Sequence, residues 1–203
     1  MKKQLLLIAL FAVSVCYSYS QAPTGFGVKG GITSSNLKFT NIGGSFDVSS
    51  DSKIGFYGGV FAQVGISEKF AIQPEVLYAL YSSKLTVQSF GDADQNLSYV
   101  TIPLLAKYIQ EGLSVFVGPQ VGFVVSAKSK SGGSTDDIKD RFKSTDFSGV
   151  IGAGYTTLSG FGFDARYQIG LSDIASDDFS GTLGGGKVKN NALMFGVHYL
   201  FQR

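Results

Sequence analysis

From Ser98 to Lys128 the chain alternates with a period of two. Val100, Ile102, Leu104, Ala106 and Tyr108 interleave with Tyr99, Thr101, Pro103, Leu105 and Lys107. After Gln110-Glu111-Gly112, the set Leu113, Val115, Val117, Pro119, Val121, Phe123 and Val125 interleaves with Ser114, Phe116, Gly118, Gln120, Gly122, Val124 and Ser126. Successive side chains of a strand point to opposite faces, so this pattern predicts a β-hairpin with one regular apolar face and one mixed polar face. Period alone does not say whether the apolar face meets a core or lipid. Length favours lipid: a tilted strand crosses the hydrocarbon in about 9 to 11 residues, whereas soluble strands run about 5 or 6. A soluble lipocalin-like barrel is the rival fold, and it would put the apolar set inside.

The same rule predicts the other strands. The first covers about 25–38, with Phe26, Val28 and Ile32 outward and a glycine-rich inner face carrying Lys29. The second, 53–65, puts Phe56, Val60 and Val64 outward and Tyr57, Phe61 and Gln63 inward. The third, 69–85, sets Phe70, Ile72, Val76 and Tyr78 against Gln73, Glu75, Leu77 and Tyr81. Strands four and five are the hairpin. The sixth, 146–157, has the weakest alternation. The seventh, 161–172, alternates Phe161, Phe163, Ala165, Tyr167 and Ile169 with Gly162, Asp164, Arg166, Gln168 and Gly170, and the eighth, 190–201, sets Leu193, Phe195, Val197, Tyr199 and Phe201 against Ala192, Met194, Gly196, His198 and Leu200. The segment 129–145 shows no usable period and many charges, so it reads as a long loop, as does 173–189.

These eight strands are joined by connections that run long, short, long, short, long, short, long. That is the scheme of an all-β, eight-stranded antiparallel up-and-down transmembrane β-barrel, with short turns and both termini on the periplasmic side and long loops outside.

The N-terminus changes the compartment. Met1-Lys2-Lys3, an apolar run from Leu5 to Val15 and the small residues Ser18 to Ser20 predict a signal peptide over 1–20, cut after Ser20, leaving 21–203 as the barrel domain. A run of about 11 apolar residues is too short for a helical span, which needs about 20. A lipoprotein acylated at Cys16 would need a small residue where Val15 stands.

Composition then narrows the class. The chain holds 27 Gly, 17 Phe, 10 Tyr and no Trp, and only 16% of it is charged, where about 25% is usual. Without residues 1–20 the 17 basic residues become 15, against 15 acidic, and the only cysteine is gone. A neutral chain offers no basic face for nucleic acid, and no disulfide framework holds the fold. Past the signal no stretch has 18 apolar uncharged residues, which excludes helical spans but not a barrel.

The inward set carries Lys29, Glu75, Lys107, Asp164 and Arg166, with Gln73, Gln120, Gln168 and His198. An eight-stranded barrel is just wide enough for side chains to fill it, and unpaired buried charges are costly, so the five charges are expected to form a structural network that plugs the lumen. The functional alternative is an ion path or proton site. A water-filled porin would need more strands. No catalytic, cofactor-binding or metal-binding residue is assigned. Gly25-Phe26-Gly27-Val28-Lys29-Gly30 fits a dinucleotide fingerprint but lies in a strand, and the segment 181–187 fits a phosphate loop but ends at Val188 in place of Ser or Thr. His198 is the only histidine, near the periplasmic end, and reads as a hydrogen-bonded lumen residue. The acidic clusters Asp136, Asp137, Asp140 and Asp177, Asp178 match no calcium-loop spacing.

Four segments carry a family resemblance: Gln73-Pro74-Glu75-Val76-Leu77-Tyr78, the run from Tyr99 to Tyr108, Gly118-Pro119-Gln120-Val121-Gly122, and the run from Arg166 to Ile174. In them the chain resembles the PorT-like outer-membrane β-barrels of Bacteroidota, small barrels of the OmpA/OmpX kind. The resemblance implies the outer membrane, its lipid as surroundings, and insertion by the barrel-assembly machinery. It also implies a possible secretion-complex partner. Three functions are therefore expected in order: a closed structural or surface-binding barrel acting through its outer loops, an accessory component of a secretion or transport complex, and, least supported, a lipid hydrolase or small ion channel.

Overall fold

The computed structural model describes residues 22–40, 48–87, 91–131, 134–176, 181 and 186–202. The expected signal peptide with Cys16 and its cleavage site, the Asp177-Asp178 pair and most of the phosphate-loop-like segment lie outside these residues.

The chain is a closed eight-stranded antiparallel barrel. Its wall is built from β1 (Gly25–Thr40), β2 (Val48–Gly65), β3 (Phe70–Val87), β4 (Gly91–Gln110), β5 (Leu113–Ser131), β7 (Thr145–Thr156), β8 (Phe161–Gly170) and β9 (Lys187–Gln202), with a short β6 (Ser134–Asp137) laid on β5. Each wall strand pairs with its neighbours in the chain, β5 with β7 across the insertion, and β1 with β9 closes the ring. Closure leaves the wall no free edge inside the bilayer, where unpaired backbone groups have no water to bind.

The alternation puts the apolar set on the outside. Val60, Ile151, Phe163 and Val197 are each more than half exposed, which suits lipid, while Glu75, Arg166 and Gln168 are fully buried within. No described helix is long and apolar enough to cross a membrane.

Three short turns sit at one end. Between β4 and β5, Glu111 (φ 52°) and Gly112 (φ 84°) both take positive φ, which matches the right-handed twist of a tight hairpin. Between β2 and β3, the amides of Ile66 and Ser67 donate to the Phe70 carbonyl. Between β7 and β8, the Thr157 amide donates to the Phe161 carbonyl.

Two features depart from the sequence reading. First, four strands run past their expected bounds: β9 begins at Lys187, inside the expected loop 173–189, β2 at Val48 rather than 53 and β4 at Gly91 rather than 98, while β5 runs to Ser131 rather than 128. They rise as a polar wing above the apolar belt. The segment 129–145 is accordingly not a bare loop: β5 runs on to Ser131, β6 pairs with it from Lys128↔Asp137 to Ser131↔Ser134, and a 3-10 turn spans Lys139–Arg141. Polar residues on both faces hide a strand that lies outside the membrane, because no apolar face is required there.

Second, two bulges break the strict period. One lies on β2 between Lys53 and Phe56, the other where Ser98↔Ser126 is followed by Tyr99↔Val124. The second bulge shifts the faces of β5, so that Val124 and Ala127, three positions apart, are both buried.

Candidate functional site

The site is the lumen. Inward glycines make the room for its large side chains: a Cβ on Gly152 would lie 2.5 Å from the Phe116 ring, and one on Gly196 would lie 2.9 Å from the Tyr57 ring. Into this space three strands send the charges of the central network. Lys29 comes from β1, Glu75 from β3, and Asp164 and Arg166 from β8.

Arg166 is the hub. Its Nη1 donates to Glu75 Oε2 at 2.8 Å and its Nη2 to Glu75 Oε1 at 3.3 Å, while Nε donates to Asp164 Oδ1 at 2.9 Å. Lys29 Nζ donates to Glu75 Oε1 at 2.9 Å and lies 3.4 Å from Asp164 Oδ2. Each cation also stacks on an aromatic face, with Lys29 over Phe61 at 5.4 Å and Arg166 over Phe116 at 5.2 Å. The two-pronged Arg166–Glu75 pair has the geometry that a planar guanidinium offers a carboxylate.

Lys107 differs from the expectation. It ion-pairs with no described carboxylate; its Nζ donates instead to Gln63 Oε1 at 3.0 Å and Gln73 Oε1 at 3.2 Å. Gln73 in turn donates to Glu75 Oε1 at 2.6 Å, so Lys107 joins the network through an amide. The reason is height along the barrel: Lys107 lies on β4 at the level of Ala71, nearer the periplasmic end than Glu75. The five charges therefore hold one positive excess, with Lys29, Lys107 and Arg166 facing Glu75 and Asp164.

The lumen is closed above and below this network. On the outer side Gln168 Oε1 accepts from Tyr81 Oη at 2.6 Å and from Gln120 Nε2 at 3.0 Å, and Gln120 also donates to Ser148 Oγ at 3.1 Å. Beyond them lies a dry cluster that includes Leu77, Leu97, Tyr99, Ile138, Phe142, Ile174 and Val188. Ile138, Phe142 and Ile174 come from loops, fastened by the Phe142↔Ala175 bridge and by Ile138 N donating to Ala127 O at 3.0 Å. Sequence reasoning did not find this plug; its one signal was isolated apolar residues within charged loops. On the periplasmic side Gln63 Nε2 donates to the Pro23 carbonyl at 2.6 Å, which ties residues 22–24 across the mouth. Between Lys107, Asp164 and His198 remains a cavity of about 10 Å³, room for a single water.

His198 makes an arrangement that resembles a hydrolytic triad. Its Nε2 is 3.0 Å from Thr156 Oγ1, and its Nδ1 is 3.4 Å from Asp164 Oδ2. Acyl transfer also needs free donors for the oxyanion. The backbone amides of Thr156, Thr157, Gly160 and Leu200 around this site are all spent on turn carbonyls, and Asp164 is engaged by Arg166. The geometry holds His198 under the edge of Phe61, with ring centroids 5.9 Å apart.

The larger hollows lie elsewhere, on the outer wall. Two of about 670 and 940 Å³ are both floored by Ala153 and Ala165 beside Tyr108 and Val115, with Phe163 lining only the second. They face lipid, as gaps between outward aromatics over small residues.

Closed ring, outward apolar belt, polar filled lumen and short turns at one end together define a small transmembrane β-barrel of the outer-membrane kind. The chain belongs to the outer membrane protein beta-barrel domain family, which it matches over residues 19–176. The match stops before β9, the strand that closes the ring. Among solved structures it is similar to Neisserial surface protein A, at 17% identity, covering 87% of this chain and 97% of that one, with a TM-score of 0.58. It is also similar to the outer membrane protein OprG from Pseudomonas aeruginosa, at 14% identity, covering 91% of this chain and 100% of that one, with a TM-score of 0.53. At these identities the likeness is one of fold. No curated protein matches the sequence.

Proposed function

We propose that this is a closed, non-catalytic outer-membrane barrel with a structural or surface-binding role, exported by its N-terminal signal and acting through its outer wing and loops. The observation that carries this is the doubly closed lumen: the Arg166-centred network fills the middle and the plug around Phe142 seals the outer half. A lumen so filled leaves the outer surface as the part able to meet a partner. The wing of β4, β5 and β6 supplies that surface, since all four residues of β6 are exposed.

The test is conductance of the folded full-length chain in a planar bilayer. No discrete steps are expected, and none for Phe142→Ala either, because the network below remains. Steady unitary steps in the wild type would overturn the reading. The same wing leaves a second reading, an accessory component of a secretion or transport complex of the PorT-like kind. Cross-linking in cells from a photoreactive residue at Thr135 separates the two: one stoichiometric membrane partner supports the accessory role, and its absence supports the surface role.

A further inference from the structure

The seam between β1 and β9 changes character as it leaves the apolar belt. In register from the belt outward stand Ile32↔Phe195, Ser34↔Leu193, Asn36↔Asn191, Lys38↔Lys189 and Thr40↔Lys187. Lys38, Lys189 and Lys187 share the outward face, and Lys38 and Lys189 are directly opposite. Such neighbours have Cβ atoms about 5 Å apart, and like charges there repel.

Elsewhere on the rim lysines stand in register with acids rather than with other lysines. Lys53 Nζ lies 2.6 Å from Asp94 Oδ2, Lys130 stands opposite Asp94, and Lys128 stands opposite Asp137. Lys38 and Lys189 have no carboxylate partner among the described residues. The nearby Asp173 spends its Oδ1 on the amides of Ala175 and Val188.

Lys189 is four residues beyond Leu193. At about 3.4 Å per residue and a tilt near 40°, that is about 10 Å above the last apolar position, in the headgroup layer. Lysine stems reach along the wall while the ammonium stays in the polar layer. We infer that Lys38 and Lys189 clasp the phosphate of an outer-leaflet lipid headgroup, whose acyl chains lie on Ile32, Leu193 and Phe195.

The test folds the full-length chain in nanodiscs of phosphatidylcholine with a minor fraction of phosphatidic acid, extracts it, and measures the phosphatidic acid that co-elutes. Heat-modifiable migration reports folding of every variant. The wild type is expected to retain phosphatidic acid over phosphatidylcholine. Each lysine near a membrane surface contributes about a fivefold effect, so K38Q/K189Q should lower retention about twentyfold or more. K128Q/K130Q removes the same charge and should leave retention unchanged. Equal retention in K38Q/K189Q, an equal loss in K128Q/K130Q, or stripping of the lipid by millimolar inorganic phosphate would each overturn the inference, the last by showing a free-phosphate site.

Discussion

Arg166 and Glu75 meet across the lumen through two hydrogen bonds, Nη1 to Oε2 at 2.8 Å and Nη2 to Oε1 at 3.3 Å, although 91 residues separate them in the chain. Both are almost wholly out of contact with solvent. The pair therefore ties β3 to β8 through the middle of the lumen.

Removing one partner leaves the other charge buried. Glu75→Ala strands Arg166 and Lys29 with Asp164 alone, and should cost about 3 to 5 kcal/mol. The double change Glu75→Leu with Arg166→Met removes both charges at similar volume and should cost less than Glu75→Ala. Urea midpoints followed by heat-modifiable migration in lipid vesicles measure both. A double variant weaker than Glu75→Ala would show that the network gives more than charge balance.

The outward face offers a test of depth. Val197 lies midway along the apolar run of β9 from Phe201 to Leu193, and is 52% exposed. Val197→Arg should cost about 2 to 4 kcal/mol, and Asn191→Arg, near the headgroups, about 0 to 1. The same urea titration checks this. Equal costs at the two positions would mean that no hydrocarbon layer surrounds the belt.

The β4–β5 turn stores strain at a non-glycine residue. Glu111 holds φ 52°, a left-handed conformation that costs an L-residue about 1 to 2 kcal/mol and that asparagine tolerates better. Glu111→Asn should stabilise the barrel by about 1 kcal/mol. Gly112→Ala should destabilise it, since at φ 84° its Cβ would also sit 2.6 Å from the Thr156 carbonyl oxygen. Refolding yield into vesicles and the urea midpoint should move in opposite directions for the two variants.

The sequence by itself determined the eight wall strands, their faces within the apolar belt and their order. Lipid selects apolar residues at every second position, so Phe161 to Ile169 or Leu193 to Phe201 announce both a strand and the side it turns outward. The turn at Glu111-Gly112 was equally local. The sequence also placed Lys29, Glu75, Lys107, Asp164 and Arg166 on the inner face, because alternation alone fixes that.

Only the tertiary structure decided which of these meet. Contacts across a lumen depend on how far each strand is staggered against the next around the closed ring, and no local period records that stagger. It brings Arg166 to Glu75 but leaves Lys107 on Gln63 and Gln73. The plug of Ile138, Phe142 and Ile174 was invisible for a related reason. Those residues are buried by irregular backbone folding over the barrel mouth, where no repeating face exists to mark them, and the bulge that turns Ala127 inward breaks the very period by which the faces are read.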